Sequence, residues 1–138
     1  MTINWLAIIA ATVASFVFGS IWYMALSKPW MAAAGFTEAD MRDANGKPKI
    51  PFLPMAISFI AEFVMALVLA GVIAHVIKTG VTWKSGLTTG AVCWAGFVIT
   101  TLLTNHAYGK AKAALTFIDG GHWLGVLLLQ GAILGALL

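Results

Sequence analysis

Four apolar runs, Trp5 to Leu26, Pro54 to Ile77, Ser85 to Thr104 and His122 to Leu138, take up most of this 138-residue chain. Each has the length, roughly 17 to 25 residues, that an α-helix needs to cross a bilayer core of about 30 Å. In lipid a helix satisfies its own backbone N–H and C=O groups, so runs of this kind leave few folds open. The expected architecture is all-α, one domain over residues 1–138 forming an integral membrane bundle of four transmembrane helices. Composition agrees, with 61% hydrophobic and 9% charged residues, against about 45–50% and 25% in soluble domains. The first run has no Lys or Arg before it, and Ser27-Lys28-Pro29-Trp30 is a poor cleavage site, so it reads as a retained span.

The polar loop 27–53 carries helix signals of its own. Pro29 suits a first helical position and Gly35 a terminator, which predicts a short interfacial helix over Trp30–Ala34. Thr37 with Asp40 resembles a capping box opening a second one, Glu38–Ala44, closed by Asn45-Gly46. In the third connection, Asn105 to Ile118, Lys110 and Lys112 among alanines suggest another interfacial helix. Asp119 then reads as the N-cap of the last span, with Gly120 and Gly121 easing its entry.

Loops one and three hold Lys28, Arg42, Lys47, Lys49, Lys110 and Lys112, whereas the other side holds only Lys78 and Lys84. The positive-inside rule therefore predicts cytoplasmic loops one and three, with both termini outside. Trp5 and Trp83 fall at the outer boundary, and Trp22, Tyr23, Trp30, Tyr108 and Trp123 near the inner one, as interfacial belts do. Trp94, near mid-span, is the exception.

Several function classes fall away. The net charge of +3 is spread over loops, not gathered in a basic stripe, so nucleic acid is not an expected partner. The lone Cys93 offers neither an intrachain disulfide nor a thiolate metal cluster. No nucleophile elbow, phosphate loop or HExxH pair occurs, so a non-enzymatic protein without cofactor is expected. His75 belongs at the outer side, and His106 and His122 at the inner one. Asn105, His106, Asp119 and His122 read as an interfacial polar site that lacks metal-ligand spacing.

Glu62 stands near the centre of the second span, where an ionisable group costs roughly 2.5–3.5 kcal/mol on insertion scales and marks a site by default. Helix rise, about 1.5 Å per residue, places Ser20, Trp22, Tyr23, Thr100 and Thr101 at comparable depth, and Ser58 one turn before it on its own helix. An intramembrane polar site of Glu62, Ser58, Ser20, Trp22, Tyr23, Thr100 and Thr101 follows. Helix packing is the leading role for it, because hydroxyl neighbours can hydrogen-bond the carboxyl. A small channel or proton-coupled transporter is the alternative. A third reading is a crevice for a lipid or hydrophobic cofactor, lined by Trp22, Tyr23, Trp30 and Trp123.

Small residues recur at four-residue spacing, among them Gly86 with Gly90 and Gly131 with Gly135. Such pairs let helix backbones approach closely. Packing within the bundle is their first expected use. Self-association through Gly131 and Gly135 is the second, and since four helices enclose no wide path alone, a homo-oligomer in the lipid bilayer is expected.

The run Phe18-Gly19-Ser20-Ile21-Trp22-Tyr23 leading into Lys28-Pro29-Trp30-Met31, the stretch Phe36-Thr37-Glu38, and Gly120-Gly121-His122-Trp123-Leu124 before a glycine-rich last helix carry a family resemblance. With these motifs the chain resembles the bacterial membrane family catalogued as domain of unknown function family 1761. The resemblance covers most of the chain. It implies a small multi-spanning protein of the bacterial inner membrane, and supplies no catalytic residues.

Overall fold

The computed structural model describes residues 2–138 and is 79% helix, with no strand among the described residues. Helix α1 spans Trp5–Ala25, α2 Ser27–Ala34, α3 Phe52–Val76, α4 Trp83–Cys93, α5 Ile99–Tyr108 and α6 Ala113–Leu137. A π-helical turn, Trp94–Val98, joins α4 to α5, so that Trp83–Tyr108 forms one long span. Four helices are thus long and apolar enough to cross a membrane.

Local chemistry sets the ends. Asn4 caps α1 by accepting the Ala7 N–H at 3.1 Å, and its Nδ2 donates to the Leu137 carbonyl at 3.0 Å, which holds the two ends of the chain on one face. Gly35, at φ 82°, closes α2 in the left-handed region that favours glycine. Thr82 and Ser85 form a reciprocal capping box at the start of α4, two residues before the expected boundary.

Two expectations need correction. The expected helix Glu38–Ala44 is only a 3₁₀ turn, Ala39–Met41. Its continuation is diverted because the Asp43 carboxylate accepts the N–H groups of Asn45 and Lys47, each at 2.9 Å, which offers the backbone a turn in place of a helix. Residues 113–121, expected as loop and interfacial helix, are the first turns of α6. Asp119, Gly120 and Gly121 lie inside that helix, so Asp119 caps nothing. The two glycines serve as notches, where a Cβ would meet Ile99 Cδ1 at 2.8 Å and the Trp22 ring at 2.9 Å. Trp22 Nε1 donates to the Ile118 carbonyl at 3.0 Å and Trp94 Nε1 to that of Gly120 at 2.9 Å, pinning this glycine-rich stretch from two sides. The second bond explains a tryptophan at mid-span.

In loop one the Asp40 carboxylate accepts the Thr37 N–H at 2.8 Å and the Thr37 hydroxyl at 2.9 Å. The backbone bond, above all, holds its pKa below the ordinary carboxylate value. A depressed folded value gives stability that is present above the unfolded pKa and lost as pH falls through the folded one. The Thr37 amide should therefore stay protected at neutral pH and lose protection only under acid conditions, whereas Asp40→Ala, which removes the acceptor, should remove the protection at neutral pH; amide hydrogen exchange reads both.

Helix α6 is the hub. Of its most apolar window 44% is buried, against 11% for the third span. Its Gly131 and Gly135 face Gly86 of the third span and the Thr82 cap before it, and its Leu127 carbonyl faces Gly90, with backbone against backbone. The stripe considered for self-association is therefore occupied within the chain. Ala7, Ile8 and Ala11 of α1, Ala66, Leu69, Ala70 and Ile73 of α3, and Leu127 and Leu134 of α6 make the apolar core.

Candidate functional site

Within this apolar bundle, Thr12, Ser15, Glu62, His122 and Gln130 are buried polar residues, and the last four converge. Ser15 faces inward because it shares a stripe of α1 with Ala11 and Gly19, all three buried and one turn apart. Its Oγ donates to Glu62 Oε2 at 2.9 Å and also lies 3.1 Å from the Thr12 carbonyl. Gln130 uses both hydrogens of its amide: Nε2 donates to Ser15 Oγ and to the Glu62 backbone carbonyl, each at 3.0 Å. One amide on α6 thus ties α1 to α3. Ser15 and Gln130 are fully buried and Glu62 is 2% exposed.

The second carboxylate oxygen looks toward Gly19. A Cβ on that glycine would stand 3.7 Å from Glu62 Oε1 and 2.7 Å from His122 Nε2, so the two side chains share the space that its hydrogen leaves. His122 is 5% exposed and lies in an aromatic nest, with its ring centroid 4.5 Å from Trp123, 4.9 Å from Tyr23 and 6.3 Å from Phe18. His122 Nδ1 and Gln130 Oε1 are buried and take no hydrogen bond from the described residues. Buried polar atoms are ordinarily paired, so each of these two calls for a partner such as a water molecule or for a chemical role. Below His122, the Tyr23 hydroxyl donates to Asp119 Oδ1 at 2.7 Å, and Trp30 covers the Tyr23 ring edge-on at 6.3 Å.

Of the residues expected around Glu62, Tyr23 lies in the neighbourhood through His122, and Trp22 is bonded to the α6 backbone nearby. The others do not join. Ser20, Thr100 and Thr101 are exposed, and each hydroxyl donates to a carbonyl of its own helix, on Phe16, Gly96 and Phe97 at 3.0, 2.9 and 2.6 Å. Such back-bonding satisfies a hydroxyl without any neighbour. Ser58 is half-buried and enters none of the bonds to Glu62. The interfacial set also divides. His106 Nδ1 shares a 2.7 Å hydrogen bond with Thr116 Oγ1, Asp119 takes Tyr23, and His122 turns inward to Glu62. Asn105 is exposed and lines, with Phe97, Thr101 and His106, an open depression of about 340 Å³ on the outside of the third span.

Two members of the site, Ser15 and Gln130, escaped the reading of the sequence as polar partners. The signal existed for Gln130, the one strongly polar side chain between Trp123 and Leu138. Ser15, one turn before Gly19 in an apolar run, has the sequence signature of a small packing residue.

No curated protein and no solved structure matches the chain. A family model does, described as "Protein of unknown function (DUF1761)" and matching residues 6–135, which include every member of the polar site. The chain therefore belongs to the DUF1761 family.

Proposed function

We propose that this chain is a non-enzymatic, homo-oligomeric protein of the bacterial inner membrane, in which the Glu62 network fixes the packing of the helices. One observation carries the reading: Glu62, Ser15 and Gln130, from three helices, are joined through bonds of 2.9–3.0 Å in a buried position. In a bilayer, where apolar side chains gain little by leaving lipid tails, interhelical hydrogen bonds and small-residue contacts specify which helices meet. Both are concentrated on α6.

The orientation is proposed from the loop charges, with loops one and three cytoplasmic and both termini outside. Oligomerisation has its own support. No residue of α5 is buried, and its flank presents Thr100, Thr101, Leu103 and Thr104 outward, a surface suited to a second copy. The glycine stripe of α6 is already engaged.

Two measurements test the proposal. Native mass spectrometry of protein in lipid nanodiscs should give a multimer, retained in Glu62→Gln; a monomer at all concentrations would contradict the oligomer. Reconstituted in liposomes, the protein should pass protons and monovalent cations no faster than empty vesicles do. Flux that Glu62→Gln abolishes while fold and oligomer persist would make the transport reading the correct one.

A further inference from the structure

The polar groups inside the bundle are distributed unevenly about Glu62. On the side of loops one and three, successive turns of α1 and α6 carry Gly19, Tyr23, His122 and Asp119, with Asp119 and Tyr23 half-exposed at the lower end. On the side of the termini, the same helices and α3 present only Ala7, Ile8, Ala11, Ala66, Leu69, Ala70, Ile73 and Leu134 to the interior, and Thr12, whose hydroxyl is closed onto the Ile8 carbonyl at 2.8 Å. A depression of about 390 Å³ opens on that face, but its floor is Ile8, Ala70 and Ile73, and neither Ser15, Glu62, His122 nor Gln130 lines it. Beside the buried Ile118, Val126 and Leu127, polar side chains thus extend from Glu62 toward the face of loops one and three, whereas toward the other face there is only the closed Thr12.

We infer that Glu62 is a proton-binding site reached from one face only, the face of loops one and three, with His122 as the group that hands the proton on. The inference goes beyond helix packing and is compatible with it, since a site closed on its far side binds and releases protons without conducting them. His122 stands beside Glu62 without a direct hydrogen bond to it, a gap that one water molecule can bridge. Its Nε2 shares the Gly19 space with Glu62 Oε1, while its buried Nδ1 has no partner among the described residues. A neutral imidazole can take a proton on one ring nitrogen and release the other nitrogen's proton, so it relays without a net change of charge. The step balances: a proton that enters from water beside Asp119 and Tyr23 is taken at Nδ1, the Nε2 proton passes through a bridging water to the Glu62 carboxylate, and a neutral imidazole, a neutral carboxyl and the water remain. Of titratable groups, Tyr23 faces His122 from α1 and Asp119 lies one turn below it on α6. From α3 Glu62 faces it, and α2 contributes the indole of Trp30 above Tyr23. No ion pair forms with Glu62 or His122 among the described residues.

The site is testable by infrared difference spectroscopy on proteoliposomes sorted by whether protease cuts loop one from outside. A pH jump is applied to the external bath only, and the carboxyl band that Glu62→Gln removes is followed before the lumen equilibrates. With loop one outside, the band should respond at once; with the termini outside, it should wait for the lumen. His122→Phe keeps an aromatic ring in the nest and should slow the response from the open face on the order of a hundredfold, the scale of a positioned proton-transfer group, with oligomer and thermal unfolding unchanged. Equal responses from both faces, or none from either, would overturn the inference in wild-type protein without recourse to a variant. A His122→Phe response at the wild-type rate would remove the role of His122.

Discussion

Gly86→Ala should cost roughly 3 kcal/mol, the upper part of the range for overpacking a core, although it adds one methyl group to a helix. The reason is where the methyl goes. A Cβ at position 86 would collide with the Gly131 carbonyl oxygen and stand 2.9 Å from Gly135 Cα, so it meets backbone, which has no rotamer to yield. The α4–α6 pair would have to separate, and with it the contact that attaches the third span to the hub. Gly71→Ala provides the control, because nothing lies within 4 Å of its Cβ. There the ordinary preference of helices for alanine prevails, and the variant should be neutral or more stable by roughly 0.5–1 kcal/mol. Unfolding titrations of both variants in mixed micelles give the comparison, and equal effects at the two positions would contradict the α4–α6 geometry.

Glu62→Ala should destabilise the bundle by about 1–3 kcal/mol, the cost of leaving buried partners unpaired. The change removes the interhelical acceptor of Ser15, leaving it only the Thr12 carbonyl, and opens space beside His122 and Gly19. Glu62→Gln should cost less, since an amide oxygen can accept from the same hydroxyl in nearly the same volume. The order Ala below Gln below wild type distinguishes a hydrogen-bonded carboxyl from one that only fills space, for which Gln and wild type would coincide. Gln130→Leu offers a further comparison. Its loss should resemble that of Glu62→Ala, because this one amide bridges α1 and α3.

What the sequence reveals about this molecule follows the physics of each feature. The spans are legible because length and hydropathy are properties of a single segment. The expected starts of the second and third spans lie within two residues of α3 and α4. The start of α6 is not legible in the same way. Gly120-Gly121 resembles a break, and only the rings of Trp22 and the Ile99 side chain packed against those glycines show why helix persists there. For Glu62, helix rise gives an expected depth, and of the residues expected near that depth His122 and Tyr23 lie in its neighbourhood within the bundle. Rise says nothing about which way a side chain faces. Thr100, Thr101 and Ser20 therefore look equivalent to Ser15 on paper, although their hydroxyls close on their own helices. The small-residue spacings announce close packing, but the pairing of Gly86 with Gly131 depends on two helices meeting, which neither segment encodes alone.

The central claim is that a hydrogen bond between α1 and α3, supported from α6, holds the buried carboxyl. A double-mutant cycle on Ser15→Ala and Glu62→Ala, with unfolding free energies measured in bilayers, tests it most directly. Because Ser15 Oγ lies 2.9 Å from Glu62 Oε2, the two losses should not add, and a coupling of about 0.6 kcal/mol or more, the scale of hydrogen bonds between membrane helices, is expected. Losses that add to within about 0.3 kcal/mol, as they do for independent sites, would contradict it.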